Sequence, residues 1–283
     1  MTRAAEKGAL PPISRRESLL EADGPSERAR IRQYRELLWF LIWRDIKIRY
    51  KQTILGASWA VLQPFITMVV FTLFFGRLAK MPTDGIPPPI FWYAALVPWT
   101  YFAGALVNSG NSLLGNRDLV TKVYFPRAIL PASAVFSGLL DFLIATVLLA
   151  AMMVYFRITP GWGLLVWPIA VLTLVALALG AGMFLSALNV RYRDVKYALP
   201  FLVQLLLFLT PVIYPSSIVP ERYRFLMALN PLSGIIEACR ASLLPDRAID
   251  WTQLGASIVI TAMVFFLGAI YFDKTQRSFA DLI

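Results

Sequence analysis

The sequence predicts an all-α integral membrane fold: six transmembrane helices, an N-terminal amphipathic interface helix, and short re-entrant helices between spans five and six. Three observations carry this expectation. Apolar residues make up 58% of the chain and charged residues only 16%, whereas soluble domains average about 45–50% apolar and about 25% charged. Six stretches approach the roughly 20 apolar residues that cross about 30 Å of hydrocarbon. Lys and Arg are concentrated on one side of those stretches, as the positive-inside tendency requires.

Residues 1–30, rich in Arg, Glu, Pro and Ser, hold no apolar run of signal-peptide length and read as a disordered cytoplasmic tail. Residues 31–51, IRQYRELLWFLIWRDIKIRYK, contain an apolar run too short to cross. Ile31, Tyr34, Leu38, Leu41, Ile42 and Ile46 share one helical face, while Arg32, Arg35, Glu36, Arg44 and Lys47 lie largely elsewhere. A Trp- and Arg-rich helix of this kind lies in the membrane interface, either as a plain anchor or also as a surface for a cytoplasmic partner. Residues 52–272 form the membrane domain. Its expected spans are Ile54 to Phe75, Ile90 to Leu114, Ala128 to Tyr155, Leu164 to Val190, Tyr197 to Ile213 and Leu254 to Phe272. Residues 273–283 read as a second cytoplasmic tail.

With six spans both termini share a side. Of 27 Lys and Arg residues, seven fall on the opposite side: Arg77, Lys80, Arg157, Arg222, Arg224, Arg240 and Arg247. Both termini are therefore expected in the cytoplasm. The net charge of +10 sits between apolar spans, which favours a membrane surface over nucleic acid.

Two cytoplasmic connections combine charge with apolar residues. In GNRDLVTKVYFPRAILP, Leu119, Val120, Val123 and Tyr124 fit one face of a short amphipathic helix ended before Pro126, and such a face needs a groove to dock into. In NVRYRDVKYALP, Arg191, Arg193 and Lys196 lie next to the bilayer, either as positive-inside anchors or as ligands for an anionic headgroup or phosphate. On the far side, Pro211, Pro215, Pro220, Pro231 and Pro245 cut residues 210–251 into short apolar pieces, Phe225 to Leu229 and Leu232 to Ala238. Pieces of that length read as re-entrant helices. They either shield the outer mouth of a pathway or form a simple cap. The aromatic run Phe91, Trp92, Tyr93, Trp99, Tyr101, Phe102 fits an interfacial belt, or rings that stack on sugar faces.

Several function classes lack their chemistry here. The chain has no His and one Cys, Cys239, so a structural zinc site is excluded and the commonest general base is missing. No Walker-type phosphate loop occurs. Asp141, in the middle of span three, is either a structural carboxyl bonded to a neighbouring helix or the coupling group of an ion-driven carrier.

Taken in order, RELLWFLIWRDIKIRYKQTILGASWAVLQP (Arg35 to Pro64), VTKVYFPR (Val120 to Arg127), ALNVRYRDVKY (Ala187 to Tyr197), TPVIYP (Thr210 to Pro215), and VPE with the later ALNP (Val219 to Pro231) resemble the ABC-2 type permeases that export polysaccharides: O antigen, capsule and teichoic acid. The resemblance implies a homodimer in the bacterial inner membrane, paired with two copies of a separate ATPase subunit. ATP and Mg would bind on that partner, leaving no cofactor in this chain. The implied substrate is a lipid-linked polysaccharide on a polyprenyl diphosphate carrier, moved from cytoplasm to periplasm through a channel at the dimer interface.

The coupling helix of that family corresponds to Asn116, Arg117, Asp118, Leu119, Val120, Thr121, Lys122, Val123, Tyr124 and Phe125. Its interface helix corresponds to the segment holding Tyr34, Arg35, Leu38, Arg44, Asp45, Lys47 and Arg49. Polar residues inside the spans are candidates to line the channel: Gln63, Thr67, Asn108, Asn111 and Gln204, with Thr72, Ser109 and Ser112 beside them. The alternatives are a secondary transporter using Asp141, a membrane enzyme acting on lipid-linked sugar, and a structural scaffold.

Overall fold

The structure, a computed structural model, describes residues 27–51, 58–244 and 248–279, and every regular element among them is helical. The chain forms two compact units, Met1–Leu37 and Leu38–Ile283. The described part of the first unit is the beginning of α1 (Glu27–Lys51), where Arg32 Nε and Glu36 Oε1 pair at 2.8 Å one turn apart. Residues 27–30 are thus helical rather than part of a disordered tail. The rest of that expected tail lies outside the described residues, as does the last stretch of the C-terminal one.

The second unit continues with α2 (Ser58–Phe71), whose C-terminal end widens into a π-helix over Thr72–Leu78. Then come α3 (Pro88–Gly115), the short α4 (Arg117–Lys122), α5 (Ile129–Tyr155), and α6 (Trp167–Arg191), entered through a 3-10 turn at Trp162–Val166. The series ends with α7 (Val195–Leu209), α8 (Glu221–Leu229), α9 (Pro231–Leu243) and α10 (Trp251–Thr275). Five of these, α2, α3, α5, α6 and α10, are long and apolar enough to cross a membrane. Most expected span boundaries are met within a few residues.

Helix α3 is the centre of the bundle and the most buried of the five, α2 the least. All residues from Ile90 to Val97 are buried. Phe91, Trp92 and Tyr93 are therefore core residues, not a belt at the lipid border. Their position follows from crowding: α3 packs against α2, α5, α6 and α9, and its first half is buried among them. Ring polar atoms buried this way need partners. The Trp92 indole N–H donates to the Ile213 carbonyl at 2.8 Å, and the Tyr93 hydroxyl donates to the Ala145 carbonyl at 3.3 Å.

Helices α6 and α10 approach backbone to backbone at Gly180 and Gly268. A Cβ on either would overlap the other helix's main chain. Between apolar helices in lipid, such small residues supply close van der Waals packing where no hydrophobic drive exists.

The fifth expected span, Tyr197 to Ile213, is helical over Val195–Leu209 and non-helical beyond it. Helix α7 has 15 residues and rises about 22 Å at 1.5 Å per residue, short of the hydrocarbon thickness. The chain leaves the helix at Thr210, and Thr210 to Ile213 run as buried, irregular backbone. Such backbone persists at membrane depth only where protein satisfies it. Arg240 of α9 does so: its guanidinium donates to the carbonyls of Pro211 at 3.0 Å and Val212 at 3.3 Å. It also pairs with Glu237 at 3.1 Å and lies 4.0 Å from the Phe91 ring centroid. Arg240, read from sequence as an external loop charge, is 0% exposed.

Helices α8 and α9 are the two short elements expected between spans five and six. Asn230 caps α9 by accepting the Leu232 N–H at 3.1 Å, with Pro231 in the first turn. Helix α9 is buried almost throughout, whereas α8 exposes Phe225, Leu226 and Leu229.

At the C-terminal end, the sixth span runs past its expected end at Phe272. Helix α10 runs to Thr275, a 3-10 turn follows at Gln276–Ser278, and Phe279 is 0% exposed.

Candidate transport cleft and docking loop

A cleft of about 410 Å³ opens among the end of α1, α2, α3 and α5. Its polar lining is Arg49, Tyr50, Gln63, Thr100, Asn108 and Asp141, and its aromatic lining is Trp59, Trp99, Tyr101 and Phe142. The local sequence explains each placement. Gln63 and Asn108 sit on helix surfaces left exposed in this chain, Gln63 just before Pro64 and Asn108 on the face of α3 away from α6. The Tyr101 hydroxyl donates to the Val135 carbonyl at 3.4 Å and its ring meets Phe142 at 5.4 Å, which fixes α3 against α5.

Asp141 lies roughly 18 Å along α5 from its start, at 1.5 Å per residue. Arg49 pairs with it through Nη1, and the Tyr50 hydroxyl donates to its other oxygen. An isolated charge at such depth costs at least about 2.5–3.5 kcal/mol. The Arg49–Asp141 pair neutralises both charges and keeps them hydrogen-bonded. A second tie lies nearer the start of α5: Ser133 Oγ donates to Asp45 Oδ2 at 3.2 Å, while Arg44 pairs with Asp45 at 2.8 Å. The second half of α1 is thereby fastened to α5 at two heights. Leu41 is buried and Leu38, Ile42 and Ile46 half-buried on that side. On the opposite side Trp39, Phe40, Trp43 and Ile48 are exposed, with Lys47 over the Trp43 ring at 5.6 Å from its centroid.

Of the candidate lining residues, Gln63 and Asn108 reach the cleft and the others do not. Asn111 packs α3 against α6: its amide donates to the Val107 carbonyl at 2.9 Å and its Oδ1 accepts from Asn189 at 3.1 Å. The hydroxyls of Thr67 and Thr72 donate back to their own helix, to the carbonyls of Gln63 and Met68. Ser109 and Ser112 are buried and bonded within α3. Gln204 is exposed on α7, away from the cleft. Arg49 and Tyr50 were missing from the sequence's account of the cleft. The available signal was a lone carboxylate inside span three, which calls for a basic partner from a flanking element.

The loop between α3 and α5 is only partly the helix expected from the sequence. Helix α4 covers Arg117–Lys122, with Asn116 at its start and a Lys122–Asp118 ion pair at 3.1 Å. Val123 is extended (φ −127°, ψ 134°), so the helix stops at Lys122, and Val123, Tyr124 and Phe125 form an irregular, bent exit. Val120 and Phe125 turn inward and are buried, while Tyr124 is fully exposed. Arg127 closes the loop. Its guanidinium donates to the Gln276 carbonyl and lies 5.9 Å from the Phe279 ring centroid. Across the same face, Arg191, Arg193 and Lys196 at the α6–α7 connection are exposed.

The described residues thus form a helical membrane bundle with an exposed loop between α3 and α5 and a polar, aromatic cleft. The chain is 31% identical to the O-antigen export system permease protein RfbA of Myxococcus xanthus over 253 residues, covering 89% of this chain and 96% of the relative. It is 25% identical to the protein of the same name from Klebsiella pneumoniae over 252 residues, with 88% and 95% covered. It is 24% identical to the polysialic acid transport protein KpsM of Escherichia coli over 246 residues, with 83% and 92% covered. Residues 36–244, from the middle of α1 past the end of α9, match the ABC-2 type transporter family, and the chain belongs to that family.

Proposed function

We propose that this chain is the membrane subunit of an ATP-driven exporter that moves a lipid-linked polysaccharide of the O-antigen or capsule kind from cytoplasm to periplasm. It works as a homodimer in the bacterial inner membrane with two copies of an ABC ATPase, which bind the ATP and Mg²⁺. The observation that carries this reading is the cleft. Arg49, Asp141, Gln63 and Asn108 are polar groups at membrane depth that cannot face lipid without large cost, so they face a hydrated space. Trp59, Trp99 and Tyr101 beside them offer flat apolar faces of the kind that stack on sugar rings. The relatives named for O-antigen export and polysialic acid transport support the same substrate class.

The membrane topology has its own support. Arg127 before α5 holds Gln276 after α10, so the chain between them crosses the bilayer an even number of times. Helices α5, α6 and α10 supply three crossings. The fourth is α7, completed by the Arg240-bound backbone of Thr210 to Ile213. With α2 and α3 this makes six, and the Lys/Arg distribution supports a cytoplasmic side for both ends. Helices α2 and α7 bury little of themselves within their own chain, which suits a seam between two copies. Asp141 as an ion-coupling group is disfavoured by its engagement with Arg49 and Tyr50.

A photo-reactive amino acid at Gln63 or Asn108, in cells making the glycan, is expected to give a glycan adduct on a carbohydrate-stained gel. The same probe at Val147, on the exposed side of α5, is expected to give none. Lipid adducts alone at Gln63 and Asn108 would contradict the cleft's role.

A further inference from the structure

Arg127 joins two parts of the chain that the proposed function treats separately. The docking loop leaves α4 at Lys122 and enters α5 at Ile129. Within it Tyr124 is fully exposed, Phe125 is 8% exposed, and Pro126 has a fixed φ and no N–H to donate. Arg127 is the polar group that ties this exit to another element. Its Nη1 donates to the Gln276 carbonyl, and its guanidinium faces the Phe279 ring. Phe279 is itself seated edge-to-face on Phe272, the last buried residue of α10, at 5.4 Å between centroids. Helix α10 in turn meets α6 backbone to backbone at Gly268 and Gly180. A continuous set of contacts thus runs from the loop to two helices that do not adjoin it in sequence.

We infer that Arg127 is a positioning residue for energy coupling: with Phe279 it clasps the C-terminal turn to the docking loop, so that displacement of α4 by the ATPase reaches α10 and α6 as well as α3 and α5. This rests on the proposed function. It makes the segment Gln276–Phe279 part of the coupling apparatus rather than a tail. A guanidinium suits the task because it donates to a carbonyl and stacks on a ring at once. Lysine keeps both interactions in weaker form, whereas alanine keeps neither.

The test uses the full chain with its co-purified ATPase in liposomes, loaded with the lipid-linked glycan fraction of the producing cells. It reads ATP hydrolysed per glycan translocated. Arg127→Ala and Phe279→Ala are expected to raise that ratio about 5-fold or more, the lower end of measured coupling between sites, while the ATPase still co-purifies. Arg127→Lys is expected to stay near wild type. Should Arg127→Ala fail to fold, Arg127→Cys combined with Phe279→Cys provides an internal control, because the native Cys239 is buried. That protein should couple poorly as prepared and recover after a short bismaleimide joins the two thiols. An unchanged ratio in the alanine variants, a lysine variant as impaired as alanine, or no recovery on cross-linking would each overturn the clasp. A wild-type complex with no ATP-dependent translocation would instead overturn the proposed function.

Discussion

Tyr124→Ala is expected to weaken binding of the proposed ATPase partner by roughly 30-fold, the effect of losing an aromatic hot spot worth about 2 kcal/mol, and to leave the thermal stability of the isolated permease unchanged. The reason is geometric. The Tyr124 side chain is fully exposed just past the end of α4, next to a half-exposed Val123 and the ion-paired last turn of that helix. Shortening it opens no cavity in the described chain, and surface changes of that kind rarely shift stability. Phe125, its neighbour, is expected to behave oppositely. It is buried, so Phe125→Ala removes core contacts, for which losses of about 3–5 kcal/mol are typical. Titrating the ATPase onto detergent-purified permease and melting the two variants separates these effects. Full ATPase affinity in Tyr124→Ala would mean that the loop is not the docking surface.

Arg240→Met is expected to destabilise the fold by about 3–5 kcal/mol, the usual cost of removing one partner of a buried ion pair. The loss has three parts: Glu237 keeps a buried charge, the Pro211 and Val212 carbonyls lose their donor, and Phe91 loses the cation over its face. Adding Glu237→Gln should recover part of the stability by removing the stranded charge. The measurement is the melting point in detergent together with protease sensitivity of residues 210–215. A single variant as stable as wild type would show that Arg240 does not hold the irregular end of α7.

Hydropathy made the long spans legible because lipid demands about 20 apolar residues in a row, and α2, α3, α5, α6 and α10 follow it closely. The proline spacing that predicted two short elements was equally direct, and α8 and α9 lie where it put them. What the sequence could not carry was the pairing. Membrane helices that are apolar all round give no phase, so the aromatic run from Phe91 to Tyr93 looked like a border when it is core. Arg240 looked like a loop charge because burial of a cation depends on Glu237 and on carbonyls some 30 residues earlier. Arg49 and Asp141, 92 residues apart, were each noticed alone. Of the proposed lining, Gln63 and Asn108 reach the cleft. Asn111 does not, because its amide completes the α3–α6 contact with Asn189. Tyr124, singled out from the sequence, is fully exposed, but the helix expected to present it ends at Lys122, where Val123 turns extended.

The central claim is that this chain forms a passage that only a separate ATPase can drive. Sealed vesicles carrying the purified permease, with and without its ABC ATPase, test it through ATP-dependent transfer of the lipid-linked glycan across the bilayer. Transfer is expected only when both subunits and ATP are present. Hydrolysis of nucleotide by the permease alone, or transfer driven by an ion gradient without the second subunit, would contradict it.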